Sequence, residues 1–282
     1  MPKYGAHAFV WVDEWTTEKG NYAIATASQQ GYDFIEIPLL KPQEFEAEVH
    51  KQALARAGIY ATASLVLPDD AHMPAQPKRA KEFLTSALDQ LEVLGGDYLC
   101  GCIAYALGLF TGAPPTDAER QTVIEVLGEV AADAKERGIT LGLEAVNRHE
   151  GYVFTSLADA RAAIKAIGAD NIQLHADTYH MNIEEEGFYK PLVECEDVLG
   201  YIHISESHRG RLGTGTVNWD EVFHGLADSH YKGPLVLEAF TSINPELIAA
   251  TRMWRPPKDA PSVIGCEGLV FMQQGARRVG LP

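Results

Sequence analysis

The chain has 282 residues and a formal net charge of −16, from 39 acidic and 23 basic side chains. Nucleic-acid binders gain most of their affinity from basic groups that neutralise phosphates, so this balance argues against nucleic acid as a partner. The length suits one (β/α)8 barrel, which typically takes about 250 residues, and no long Pro/Gly/Ser-rich linker divides the chain. We therefore expect a single domain over residues 1–282.

The sequence predicts a cytoplasmic protein. Met1-Pro-Lys-Tyr-Gly5 lacks the basic and apolar regions of a signal peptide, and no apolar stretch approaches the length of a membrane span. The cysteines lack the spacing of a zinc knuckle and are expected to be reduced core residues; they are Cys100, Cys102, Cys195 and Cys266. No membrane partner is expected.

Eight short apolar runs alternate with helical patterns along the chain. The predicted strands cover residues 5–11, 32–39, 60–67, 97–103, 140–145, 172–177, 200–205 and 235–240. Apolar residues at three-to-four-residue spacing predict helices between them, for example over 80–94 and 118–137. Gly58, Gly95 and Gly138 each follow a helical pattern and precede a strand, which is typical of helix ends.

This alternation predicts an α/β fold, a (β/α)8 TIM barrel. A doubly wound sheet is the alternative, but it would not gather the ends of the later strands so readily. Two connections, residues 105–116 and 180–189, are too long to be simple turns. They follow the fourth and sixth strands, so both would lie on the carboxyl rim, where such loops commonly close over a substrate.

Four potential metal ligands lie near the ends of the last four predicted strands. They are Glu144, Asp177, His203 and Glu238. The carboxyl ends of barrel strands converge on one face, so these side chains can meet although they are distant in sequence. Three carboxylates and one imidazole favour a hard or borderline divalent ion such as Mn²⁺, Mg²⁺ or Co²⁺.

Specific motifs surround these strand ends. They are Leu143-Glu-Ala-Val-Asn-Arg-His-Glu150, Asp177-Thr-Tyr-His-Met-Asn-Ile-Glu-Glu185, His203-Ile-Ser-Glu-Ser-His-Arg209, Gly213-Thr-Gly215, Trp219-Asp220 and Leu237-Glu-Ala-Phe240. These segments resemble the ketose 3-epimerases related to D-tagatose 3-epimerase and D-psicose (D-allulose) 3-epimerase, within the xylose-isomerase-like barrels. The first half of the chain matches that family mainly in architecture.

The resemblance implies a metal-dependent isomerase that epimerises free ketoses at C3, of the D-tagatose and D-fructose/D-psicose type. The implied metal ligands are Glu144, Asp177, His203 and Glu238, with Mn²⁺ favoured and Co²⁺ or Mg²⁺ as alternatives. Glu144 and Glu238 would also exchange protons with opposite faces of C3, through an enediolate. The implied contacts to O1 and O2 of the sugar are Glu150, His180 and Arg209. Members of the family lead us to expect a homodimer or homotetramer.

Several of these residues have ordinary structural interpretations. His180 could cap its loop, and Arg209 could pair with Glu206. His175 shares a strand face with the ligand at the end of the sixth strand and is expected to pack beside it. Glu36 could either orient a ligand or bind a distal hydroxyl. Aromatic residues could line the sugar site or belong to the core; they are Trp11, Trp15, Tyr105, Phe110 and Phe240.

Other enzymes on the same barrel remain open at this stage. Hydroxypyruvate isomerase or a ketose-phosphate epimerase or isomerase would share the metal and the enediolate. A phosphate would need a glycine-rich or basic cradle, for which Arg209-Gly-Arg211-Leu-Gly-Thr-Gly215 is the candidate. An endonuclease IV-like enzyme would need more histidine and carboxylate ligands, for three zinc ions, and a basic surface, and neither is evident in the sequence. A non-catalytic sugar-binding protein is a further alternative, but it would not require two opposed carboxylates at a metal.

Overall fold

Eight parallel strands form a closed barrel in the computed structural model, which describes residues 2–242 and 244–281. The strands are β1 (Tyr4–His7), β2 (Phe34–Pro38), β3 (Tyr60–Val66), β4 (Tyr98–Cys102), β5 (Thr140–Glu144), β6 (Ile172–Asp177), β7 (Leu199–Ser205) and β8 (Leu235–Glu238). Each strand pairs with the next, and β8 closes the barrel by pairing with β1. The predicted (β/α)8 fold is confirmed.

Helices surround this barrel. Those of the described residues are α1 (Thr17–Gln30), α2 (Ala47–Ala57), α3 (Pro77–Leu94), α4 (Asp117–Glu136), α5 (Leu157–Ile167), α6 (Thr178–Glu184), α7 (Tyr189–Glu194), α8 (Trp219–Asp228), α9 (Pro245–Thr251) and α10 (Pro261–Val279). Gly58 and Gly95 end α2 and α3 in the left-handed conformation, as their positions predict. Over the described part of the chain, no helix combines the length and the apolar character needed to cross a bilayer.

A small apolar cluster, separate from the main core, is formed by strand residues. Its members are Phe34, Cys100, Tyr201 and Val236. Alternate residues of a strand point to the same side, so the residue two positions further on shares each of these faces. Those next residues are Glu36, Cys102, His203 and Glu238. The cluster therefore forms the apolar layer of the barrel interior directly below the polar side chains at the carboxyl end.

Of the two long loops predicted on the carboxyl rim, the structure contains one. Residues 103–116, all of them described, contain no helix or strand, so the long loop after β4 is confirmed. The loop predicted over 180–189 is wrong, because α6 occupies its first half and α7 begins at its end. The Asp177 side chain accepts the backbone N–H of Tyr179 and so caps the first turn of α6. The first strand is also shorter than predicted, because the His7 side chain accepts the N–H of Phe9 and starts a 3₁₀ turn.

The barrel wall requires a glycine at position 101. Gly101 has a φ of 93°, and an added Cβ would lie 2.6 Å from the backbone oxygen of Leu65. We expect Gly101→Ala to reduce the free energy of unfolding by about 1–3 kcal/mol, because backbone strain and steric overlap act together. Urea unfolding measures the change.

Gly128→Ala is the matched control for Gly101→Ala. Gly128 lies in α4, and apart from the adjacent helix backbone no described atom lies within 4 Å of an added Cβ there. Helix propensity therefore predicts a gain of up to about 1 kcal/mol. Equal stabilities of the two variants would contradict the assignment of strain to Gly101.

Candidate active site at the carboxyl ends of the strands

The four predicted ligands meet at the carboxyl mouth of the barrel, and all four are buried. His203 Nδ1 lies 3.3 Å from Glu238 Oε1 and 3.8 Å from Asp177 Oδ2. Ligand atoms of Asp177, His203 and Glu238 lie within 4.8 Å of one another. Glu144 joins this group through overlapping sets, one with Asp177 and His180 and one with His175 and His203. The structure thus brings together the residues chosen from strand-end positions.

Unsatisfied polar atoms mark the same point. Asp177 Oδ2, His203 Nδ1 and Glu238 Oε2 are buried and have no hydrogen-bond partner among the described residues. Buried polar atoms are normally paired, and carboxylate oxygens with an imidazole lone pair are suitable ligands for a divalent cation. The donor set therefore fits a metal ion.

Glu36 determines which nitrogen of His203 faces this point. Its two carboxylate oxygens accept from His203 Nε2 at 2.9 and 3.1 Å, and Tyr201 donates its hydroxyl to Glu36 at 2.6 Å. Because Nε2 donates to Glu36, Nδ1 is the nitrogen that faces Asp177 and Glu238. Burial acts to lower the pKa of His203, but Glu36 and Glu238 outweigh it and raise that pKa well above its usual value, so a metal ion at Nδ1 would displace a proton. Burial acts to raise the pKa of Glu36, but the adjacent His203 outweighs burial and holds that pKa well below its usual range. Of the two predicted roles, the geometry selects orientation of the ligand.

His180 is held at the edge of the site by its neighbours. Its Nδ1 lies 3.1 Å from the backbone nitrogen of Asn147, whose N–H must donate. Burial, reinforced by the charge of Arg209, lowers the pKa of His180 well below its usual value, so the ring is neutral. Nε2 lies 3.6 Å from Glu144 Oε1 and 3.3 Å from Arg209 Nη2. This nitrogen therefore faces the site.

Arg209 is buried between two aromatic rings, with its guanidinium carbon 4.0 Å from the ring centre of Tyr179 and 4.8 Å from that of Phe240. Its Nη1 lies 3.3 Å from Glu150 Oε1, and its Nε lies 3.7 Å from Glu238 Oε2. The alternative pairing of the guanidinium with the Glu206 carboxylate is wrong, because that carboxylate accepts from the backbone of its own loop.

The carboxylates of the site stand in different electrostatic surroundings. Burial raises the pKa of Glu144 and of Asp177 well above their usual values. Burial also acts to raise the pKa of Glu238, but His203 and Arg209 outweigh it and hold that pKa well below its usual value. Such differences between neighbouring carboxylates are typical of acid–base sites.

Comparison with known proteins identifies the relatives of this chain. A family of xylose isomerase-like TIM barrels matches residues 24–256. The chain is 39% identical over 278 residues to an L-ribulose 3-epimerase of Methylomonas sp. (strain DH-1), covering 96% of this chain and 97% of that protein. It is 38% identical to a ketose 3-epimerase of Arthrobacter globiformis, over 90% and 89% of the two chains. The chain belongs to the ketose 3-epimerases of the xylose isomerase-like TIM barrel family. It is an enzyme of the isomerase class.

A solved structure supports this membership. The crystal structure of a D-allulose 3-epimerase from Methylomonas sp. in complex with D-allulose aligns with a TM-score of 0.93 and 37% identity. The alignment covers 97% of this chain and 96% of that one. The predicted resemblance to ketose 3-epimerases is confirmed.

In this ketose 3-epimerase a cleft of about 530 Å³ lies beside the site. It is lined by Glu150 and Tyr179, which contact Arg209, and by Phe110, which is 45% exposed. Of the other aromatic candidates, Phe240 and Tyr105 contact site residues; the Tyr105 hydroxyl donates to the backbone oxygen of Glu144. The remaining two, Trp11 and Trp15, pack against Tyr32 and Phe45.

His175 packs beside the ligands as expected, whereas His208 lies outside the site. The His175 ring is buried 4.2 Å from that of His203, centroid to centroid, and burial lowers its pKa well below the usual value. It therefore packs beside the ligands as a neutral ring. His208 lies in the loop after β7, where Nε2 is 3.1 Å from the Thr214 hydroxyl.

Three further residues contact this site and were not among the predicted site residues. Asn147 fixes His180 through its backbone and side-chain nitrogens. Tyr179 stacks on Arg209, and His7 Nε2 lies 3.8 Å from a carboxylate oxygen of Glu36. Asn147 and Tyr179 lie inside the quoted motifs, and His7 ends a strand. These positions near the carboxyl rim could have identified all three residues as candidates for the site.

Proposed function

We propose that this enzyme epimerises free ketoses at C3, with D-tagatose, D-fructose and D-psicose as substrates of the expected type. The observation that carries the proposal is the pair of buried carboxylates, Glu144 and Glu238, on β5 and β8 beside the Asp177–His203 cluster. The names of the relatives, which act on L-ribulose, ketoses or D-allulose, support the substrate class.

The chemistry requires a proton to leave one face of C3 and another to reach the opposite face. The C3 hydrogen of a 2-ketose is acidified by the C2 carbonyl, and its loss gives an enediolate. A divalent ion held by Glu144, Asp177, His203 and Glu238, with Mn²⁺ as the expected ion, would supply Lewis-acid stabilisation of the negative charge. Proton transfer itself falls to the carboxylates of this chain.

Glu144 and Glu238 are suited to this exchange because their strands, β5 and β8, are not adjacent in the barrel. One carboxylate removes the C3 proton, and the C–H electron pair becomes the C2–C3 double bond of the enediolate. The other carboxylic acid then protonates C3 from the opposite face, which restores the carbonyl with inverted configuration. The roles exchange in the reverse direction, and proton exchange with solvent resets both groups.

Glu150, His180 and Arg209 would hold O1 and O2 of the sugar. His180 Nε2 and the guanidinium of Arg209 both face the site and lie 3.3 Å apart. Arg209 carries a fixed positive charge that offsets the charge developing on the enediolate oxygen. Its aromatic neighbours Tyr179 and Phe240 limit its movement.

The glycine-rich loop after β7 supports a free sugar over a phosphorylated one. A phosphate cradle uses free backbone N–H groups. The N–H groups of Gly213 and Val217 instead donate to the Glu206 carboxylate, at 2.9 and 3.3 Å. The Gly213 N–H of the candidate cradle is thus already paired with an internal carboxylate.

Metal dependence is the first test. Removal of metal with a chelator should abolish ketose epimerisation, and Mn²⁺ or Co²⁺ should restore it.

Glu36→Gln should weaken metal binding on the order of 10- to 100-fold, because the carboxylate that fixes His203 is lost. Thr62→Val is the control: its hydroxyl lies 2.9 Å from Tyr201, one step further from His203, so its effect should be smaller. Calorimetric titration with Mn²⁺ gives the affinities. Full epimerase activity of the metal-free protein in excess chelator would contradict the proposed metal dependence.

Replacement of the two glutamates tests the mechanism. Glu144→Gln or Glu238→Gln should nearly abolish epimerisation, because inversion needs both proton-transfer groups. Metal content must be measured alongside the rate, since each residue is also a proposed ligand. One metal-loaded variant is expected to exchange the C3 hydrogen of one epimer with D₂O while forming almost no product.

Glu150→Gln is the comparison for these variants, because it leaves both proton-transfer groups in place. It should retain measurable epimerisation with a raised KM. Normal epimerisation by metal-loaded Glu238→Gln would exclude the two-carboxylate mechanism.

Substrate charge is tested by comparing kcat/KM for free ketoses with that for their phosphates. Free D-tagatose, D-fructose or D-psicose should be the better substrates, because the Glu206 carboxylate already accepts the N–H groups of Gly213 and Val217 and would repel a phosphate. If a ketose phosphate were the better substrate, the sugar-phosphate alternative would replace this proposal.

A further inference from the structure

One buried carboxylate organises the loop that follows β7. Glu206 has no exposed surface. Its Oε1 accepts the backbone N–H of Ser207 at 2.8 Å and of Val217 at 3.3 Å. Its Oε2 accepts the N–H of Gly213 at 2.9 Å and the indole N–H of Trp219 at 3.2 Å. Four donors from widely spaced positions of the loop thus converge on one side chain.

This arrangement explains two of the sequence motifs. An added Cβ at Gly215 would overlap the Ser207 hydroxyl and the Glu206 carboxylate, so the backbone passes too close for a side chain. Gly213 has a φ of 76°, which favours glycine, and its N–H is one of the four donors. Gly213-Thr-Gly215 and Trp219 are therefore parts of one structure built around Glu206.

The same loop presents Arg209. The Arg209 N–H donates to the backbone oxygen of Glu206 at 2.7 Å, and the Arg209 backbone oxygen accepts from Phe240 at 3.1 Å. Arg209 has a φ of 53°, a left-handed conformation that non-glycine residues adopt only when their surroundings impose it. The peptide before this residue is anchored at Glu206, and the peptide after it is anchored at the end of β8.

We propose that Glu206 is a positioning residue for Arg209 and thereby controls ketose binding. The inference rests on the proposed function, in which Arg209 holds O1 and O2. Glu206 does not contact the sugar in this scheme. It acts because an ionised carboxylate offers two accepting oxygens to four N–H groups, whereas a glutamine amide offers one oxygen and would turn its own donors towards the others. The loss of the charge should therefore release the loop and the backbone of Arg209.

The kinetic test uses Glu206→Gln. We expect kcat/KM for D-psicose or D-tagatose to fall on the order of 10- to 100-fold, because small misplacement of a binding group has an effect of this size. Most of the loss should appear in KM, and Mn²⁺ affinity should stay unchanged. Glu185→Gln is the matched control, because its carboxylate also accepts a backbone N–H, that of Leu157 at 2.8 Å, elsewhere on the rim. Unchanged kinetic constants in Glu206→Gln would overturn the inference.

A double-mutant cycle separates positioning from a general structural role. If Glu206 acts through Arg209, Glu206→Gln should add at most about a twofold loss to Arg209→Ala. Independent losses that multiply would overturn the inference. If Glu206→Gln does not fold, Trp219→Phe removes one donor and retains an aromatic ring. It should raise KM in the same direction, by a smaller factor, and show the same non-additivity with Arg209→Ala.

A readout independent of activity distinguishes this inference from the proposed function. In Glu206→Gln the indole N–H resonance of Trp219 should shift, and the Arg209 backbone amide should exchange with D₂O faster than in the unmodified enzyme. An Arg209 amide that remains equally protected would overturn the inference. A lack of ketose epimerisation by the unmodified enzyme would instead overturn the proposed function, and the exchange measurement would still test the loop.

Discussion

The balance of negative charge in the barrel mouth is the constraint on which the rest of the site depends. Glu144, Asp177 and Glu238 converge there, and Glu36 and Glu150 are buried close by. Carboxylates packed in a medium of low dielectric repel one another and lose their hydration, so such a cluster needs cations or protons. Arg209 and His203 supply part of the compensation. The remaining unpaired ligand atoms suit a divalent ion, so the charge that makes the cluster unfavourable alone is also what would bind the cofactor.

A common arrangement fixes the polar groups that face this cluster. Each of these groups is fixed by a hydrogen bond to a buried partner on the side that faces away from the cluster. Glu36 accepts from one nitrogen of His203, which leaves the other nitrogen free. The Asn147 N–H does the equivalent for His180, and Glu206 holds the backbone that carries Arg209. Directional contacts of this kind matter because a catalytic group displaced by a fraction of an ångström loses much of its effect.

The fold and the centre of the site were predictable because both follow from periodicity. Eight apolar runs alternating with helical patterns specify a barrel, and a parallel barrel brings every carboxyl end to one rim. Glu144, Asp177, His203 and Glu238 were recognisable from their positions at those ends. The helix α6 was not recognised, because its seven residues are too few for a clear pattern and its first turn is stabilised by the Asp177 side chain.

The strand order, the common rim and the residues placed on it follow from local spacing along the chain, so they could be predicted from the sequence. The pairing of the side chains depends instead on the closed three-dimensional fold. Glu36 and His203 are 167 positions apart on non-adjacent strands, and they meet because the barrel closes. The Arg209 guanidinium contacts Glu150 and Glu238 and not Glu206, which is only three positions away in the sequence. The backbone N–H groups of the loop already satisfy the Glu206 carboxylate. Contacts of this kind depend on the direction of each hydrogen bond and on competition among buried partners, which linear spacing does not encode.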